Sequence, residues 1–385
     1  MKKAVHNPFS SGGPVQGEFF GDRVRETRDL VCYLLDRQNV FLISPRRYGK
    51  TSLLLRAREQ ARTQGAKIAY ANLQWATSKQ EVAEEITRSV IEGVAGKGKA
   101  RMGAISDVLG HLPGARVSLS GGGSDGEISV SLAAPAGGDR SFLQEIKAPV
   151  SELSRQAKGA PVALIIDEFQ RAAEIDRNLP AIFKAVSDEL GGVSLIFAGS
   201  SRHMMENIFR GAGAPLKGAA QEMSIDVIPA PDMTAFLMAR TASSEKKMLS
   251  EAAERIYDLA RGVPNATQLL AKYSWWSADE VIDEVAVTCG LADLLRDQGG
   301  SFLSAMGQFS SNERRCVRAL AGRSWTRPFS QDFVGHAGIG ATSIKYAIET
   351  LGRLEYVLRN ERGEYRIEDP IFDLWLQHGP SLEQK

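Results

Sequence analysis

The chain has 385 residues, enough for two or three domains, with 43% apolar and 24% charged residues and a net charge of +1. These values fit a soluble globular protein and exclude a global electrostatic pull toward nucleic acid or membrane. No run of about 18 apolar residues is present to span a bilayer, and the N-terminus lacks the apolar core of a signal peptide.

Cys32, Cys289 and Cys316 are widely spaced and odd in number. They suggest neither a disulfide framework nor a metal site, and a reducing cytoplasm fits them best. Each reads as a small buried apolar residue.

In chain order, residues 7–17 form a Gly/Pro/Ser-rich lead-in. A helix follows from Val24 to Arg37, with Asp22 as its expected cap. Val40 to Ile43 is a short apolar run suited to a buried strand. Directly after it comes Ser44-Pro45-Arg46-Arg47-Tyr48-Gly49-Lys50-Thr51-Ser52, then an apolar helix start. This is the phosphate-loop pattern G-x-x-x-x-G-K-[ST] with serine for the first glycine. Backbone N–H groups of such a loop wrap a β-phosphate, helped by the positive end of the next helix. Gly49 permits the close approach, Lys50 reaches the β- and γ-phosphates, and Thr51 is the expected Mg²⁺ ligand, with Ser52 a weaker claimant. If Ser44 needed a positive φ it would cost about 1 kcal/mol or more; Pro45 instead favours the extended region there.

Lys67 to Leu73 is a second strand, and a helix is expected from Lys79 to Glu92. Residues 93–140 change character: two alternating stretches flank a Gly-rich run at 121–126, which reads as an exposed hairpin or a flexible insertion. A helix over Ser141–Lys158 leads to Val162-Ala163-Leu164-Ile165-Ile166-Asp167-Glu168, an unbroken apolar run ending in two acids. Such a run marks a strand buried on both faces. Asp167 is the expected Mg²⁺ carboxylate and Glu168 the base for an attacking water. A fourth strand, Val193–Ala198, ends at Ser200 and Arg202, read as orienting the water and reaching the γ-phosphate. A fifth is expected over Glu222–Val227.

From Asp232 to Arg296 the pattern is helical, with Gly262 closing one helix and Pro264 opening the next. The functional reading of that stretch is a helical lid with Pro264 against adenine. Past residue 300, helices over Asn312–Leu320 and Ser343–Leu351 precede two short strands about Asn360–Glu364, the order of a winged helix-turn-helix. The expected domains are therefore 1–230, 231–299 and 300–385.

SPRRYGKTSLL, ALIIDEF, FAGSSRHMM, RGVPNATQLLA and YRIEDPIFDLWLQ together resemble the prokaryotic, archaeal-type P-loop ATPases of the STAND/AAA+ superclass. The resemblance implies an α/β fold with a parallel sheet of order 5-1-4-3-2, a helical lid and a C-terminal winged helix. It implies ATP and Mg²⁺ as ligands and places Gly21, Asp22 and Arg23 near the base. It supplies no unambiguous arginine finger; Arg46 and Arg47 are candidates for phosphate, interdomain or neighbour contacts. No nuclease chemistry is assigned beyond the winged helix.

The leading functional expectation is a slow Mg-dependent ATPase acting as a nucleotide switch with output through the winged helix. One alternative is a nucleotide-dependent DNA-binding protein similar to origin-recognition ATPases; another is a non-hydrolysing nucleotide scaffold. Against DNA, residues 301–385 carry eleven Lys/Arg and ten Asp/Glu. A protein partner or a nucleotide-dependent homo-oligomer is a further expectation.

Overall fold

The computed structural model describes residues 6–94, 103, 106, 110, 116–120, 127–131, 139–360 and 362–378. The chain divides into two compact units, residues 23–46 with 50–226, and residues 1–22 with 47–49 and 227–385.

The first unit is built on a parallel sheet whose three inner strands leave no solvent face. Strand β1 (Val40–Ile43) pairs in parallel with β6 (Val193–Gly199) on one side and β7 (Gln221–Ser224) on the other. Strand β5 (Val162–Asp167) pairs with β6 and with β2 (Lys67–Asn72), also in parallel. The sheet order β2-β5-β6-β1-β7 is the expected 5-1-4-3-2 read from its other edge. Every residue of β1, β5 and β6 is buried, as parallel strands covered by helices require.

Phe41, Phe169, Phe183, Phe197 and Phe209 pack ring against ring in the core, with centroids 4.4 to 6.4 Å apart. The expected insertion contains an antiparallel pair, β3 (Arg116–Ser120) with β4 (Glu127–Ser131); its Gly-rich run lies outside the described residues.

Helix Val24–Leu35 is not capped by Asp22. Arg23 takes the cap position in the left-handed region, φ 62°, and makes no side-chain cap bond. Its buried guanidinium goes instead to Glu26 (2.8 Å) and the Asp226 carbonyl (2.6 Å). Cys32 and Cys289 are exposed on their helices, contrary to the expectation of burial; only Cys316 is interior.

The second unit is mainly helical. Helices Ala230–Ala242, Ser250–Leu259 and Pro264–Ser277 are joined by a two-residue parallel pair, β8 (Lys247–Met248) with β9 (Val281–Ile282). Helix Glu284–Gln308 runs unbroken through residue 300, the expected domain boundary. Three helices follow, Ser311–Leu320, Gln331–Ala337 and Ala341–Arg353, then β10 (Val357–Arg359) and β11 (Tyr365–Ile367), antiparallel, and a last helix, Pro370–His378. Trp325 bridges to Tyr365 and widens this wing. Among the described residues no helix is long and apolar enough to cross a membrane.

Candidate functional site

The site grows from the C-terminal ends of β1, β5 and β6. Ser44 follows β1 and is fully buried. It is absent from the positive-φ residues, so the missing first glycine introduces no left-handed strain. The loop bends at Arg47, φ 68°, and Gly49, φ 87°, and helix Lys50–Thr63 starts at Lys50. Left-handed residues interspersed in a tight loop are the kind of backbone from which anion-binding nests are made.

Lys50 is 6% exposed, and its Nζ sits 2.9 Å from Asp167 Oδ1 and 2.6 Å from Glu168 Oε1. Burial by itself would lower the Lys50 pKa, but the charges of Asp167 and Glu168 outweigh it and raise it above the usual lysine value. Asp167 is fully buried at the end of β5 and accepts four bonds. Its Oδ1 takes Lys50 and the Glu168 N–H at 2.9 Å; its Oδ2 takes Thr51 Oγ1 at 2.7 Å and the Tyr70 hydroxyl at 3.0 Å. Glu168 turns into the left-handed region, φ 55°. Its Oε2 accepts from Ser200 Oγ at 2.9 Å and from the Gln170 amide.

The structure thus brings together Lys50, Thr51, Asp167, Glu168 and Ser200. Ser52, one residue on, is buried in the same helix. Arg202 opens helix Arg202–Phe209 and pairs along it with Glu206 at 3.0 Å; among the described residues it forms no ion pair with Asp167 or Glu168. In the other unit, Gly21 and Asp22 follow the short turn Gly17–Phe19, Gly262 has φ 67°, and Pro264 begins helix Pro264–Ser277 and is buried. Arg46 is exposed; Arg47, Tyr48 and Gly49 pack with the second unit.

Sequence reasoning missed two residues. Tyr70 lies on β2, whose Asn72 is in register with Asp167, so a side chain two residues back shares that face. Burial, and next the Asp167 charge, push its phenol above the usual tyrosine pKa, which keeps it a donor. Its signal was alternation: Ala69 and Ala71 flank a polar Tyr70 near a strand end. Gln170 is 4% exposed, donates to Glu168 and to Ser200 Oγ (3.3 Å), and has a buried Oε1 with no partner. Nothing local distinguishes it from a helix-starting glutamine.

The donor set fits magnesium. Among the described residues no cluster of three or more His, Cys, Asp or Glu forms a self-sufficient metal cage. One carboxylate with one hydroxyl is what a hard cation uses when phosphate and water complete its shell.

Residues 300–378 match a family model described as "Probable winged helix domain". No curated protein matches the chain. Among solved structures it is similar to the Walker-type ATPase PABY2304 of Pyrococcus abyssi, at 16% identity and a TM-score of 0.66, over 96% of this chain and 99% of that one. It is also similar to the ADP form of the Aeropyrum pernix ORC2 protein, at 14% identity and a TM-score of 0.50, over 98% of this chain and 96% of that one. The fold is that of a P-loop ATPase. A winged helix closes the chain's C-terminal part.

Proposed function

We propose that the protein binds ATP and hydrolyses it slowly, as a nucleotide-dependent switch with output through the winged helix. The observation that carries this reading is the buried lysine at the phosphate loop, bonded to both acids of β5 and its turn, with Thr51 on the first acid. In this reading Lys50 exchanges its carboxylate contacts for phosphate oxygens. Asp167 and Thr51 would hold magnesium, which when bound neutralises phosphate charge. Glu168, released from Lys50 and kept in place by Ser200 and Gln170, takes the proton of the attacking water. The fold shared with a Walker-type ATPase supports the assignment. A STAND-type switch and the lid role of Gly262 and Pro264 belong to the same proposal.

The test is Mg-ATP binding by calorimetry together with phosphate release. Glu168→Gln is expected to bind Mg-ATP within about threefold of wild type and to lose turnover by about a hundredfold or more. No binding to wild type, or unchanged turnover in the variant, overturns the reading.

A second reading, action on DNA, has one specific observation behind it. Lys345, Tyr346 (65% exposed) and Arg353 face solvent on helix Ala341–Arg353, and Arg359 and Arg362 are exposed on the wing. A helix and wing presented in this way suit a groove and its phosphates. Phosphate release with and without duplex DNA separates the two readings.

A further inference from the structure

Arg47, Tyr48 and Gly49 of the phosphate loop share the second unit with Glu368-Asp369-Pro370-Ile371-Phe372-Asp373. Arg47 of the phosphate loop forms an ion pair with Asp369, 322 residues later. Tyr48 is 3% exposed and lies in one core with Val263, Ile371 and Leu374. The Arg47 carbonyl accepts from the Asn265 N–H at 3.3 Å, at the start of helix Pro264–Ser277.

A second arginine repeats the pattern beside the Gly262-Val263-Pro264 turn. Arg261 donates to Asp373 (3.2 Å) and to the carbonyls of Ile367 (2.8 Å) and Glu368 (3.3 Å). Both carboxylates are fixed to the winged-helix backbone before they reach an arginine. Asp369 accepts from the Ile371 N–H at 2.9 Å, and Asp373 from the Gly322 N–H at 2.8 Å. Arg47 and Arg261 both have left-handed backbones, φ 68° and 52°, which a non-glycine residue keeps only when its surroundings hold it.

We propose that the winged helix is an intramolecular clamp on the phosphate loop. Asp369 and Asp373 act as positioning residues: through Arg47 and Arg261 they hold the three residues that precede Lys50 in the shape that retains nucleotide. Withdrawal of the winged helix frees Arg47 and Tyr48, and nucleotide leaves. Coupling of this kind is reciprocal, so nucleotide binding tightens the clamp by the factor by which the clamp raises nucleotide affinity. The proposal rests on the nucleotide reading of the site.

Asp369→Asn keeps the size of the side chain and removes the charge that faces Arg47. Release of fluorescent N-methylanthraniloyl-ADP from the full chain is expected to quicken by roughly fivefold or more. Arg47→Gln should match it, and the double variant should add little to either single one. Unchanged or slower release from Asp369→Asn overturns the clamp. Hydrogen exchange gives a nucleotide-free measurement. Amides of Tyr48 and Gly49 should exchange faster in Asp369→Asn than in wild type, and equal exchange also overturns the proposal. If wild type binds no labelled ADP, the nucleotide reading falls, while the exchange comparison still decides whether the winged helix holds the loop.

Discussion

Replacing Lys50 by alanine should destabilise the nucleotide-free protein, and the structure sets the size of the loss. Lys50 is the counter-charge for two carboxylates, at 2.9 and 2.6 Å, and Asp167 is completely buried. Removing one member of a buried, hydrogen-bonded charge cluster leaves the others unpaired, at a cost of about 3–5 kcal/mol. Asp167 keeps three donors, from Thr51, Tyr70 and the Glu168 N–H, and Glu168 is partly exposed, so the lower half of that range applies. Native-state hydrogen exchange in β5 reads the effect in the right unit; about 3 kcal/mol appears as roughly a hundredfold faster exchange.

The pH dependence has a defined sign. The folded Lys50 pKa lies above its unfolded value. Its contribution is therefore complete below about pH 10.4 and fades as pH rises through the folded value. The variant should lack that alkaline loss. If Lys50→Ala exchanges within threefold of wild type at pH 7, Lys50 does not neutralise the acids and the charge argument is wrong.

Tyr70→Phe removes one of four donors to Asp167 and should lower stability by about 1–2 kcal/mol, measured by the same exchange. Gln170→Ala takes a donor from Glu168; kcat for ATP should fall by about tenfold with KM within threefold, and a change confined to KM would refute the positioning role.

The sheet was readable because β1 and β5 are nearly unbroken apolar runs and β6 is interrupted only by Ser194, a pattern that suits two-sided burial. Lys50, Thr51, Asp167 and Glu168 were readable because each stands at a strand end or helix start with fixed spacing. What escaped shares a different property. The pair β8 and β9 is two residues long on each side, too short to show any period. Helix Gln331–Ala337 buries only Phe333 and Ala337, so it carries no repeat. The cap at Arg23 was missed because propensity favours Asp22, whereas two bonds reaching Glu26 and Asp226 decide the geometry. Tyr70 and Gln170 act through neighbours in space, and their own residue types announce nothing.

The Arg47–Asp369 pair carries this reasoning one step further. Arg47 alone was compatible with a phosphate, an interdomain contact or a neighbouring molecule, since an arginine in a loop satisfies all three equally. Asp369 alone is a helix-start acid that bonds the Ile371 N–H, which accounts for it locally. Each residue is explained without the other, so no reading of either stretch calls for a partner 322 residues away. The pairing also changes the meaning of the winged helix's balanced charge. Asp369 and Asp373 face Arg47 and Arg261, not solvent-borne ligands, so the near-zero count over residues 301–385 understates how basic the remaining exposed surface is. A net charge summed along sequence assumes that every charge faces the same solvent; a domain that spends its acids on its own chain breaks that assumption.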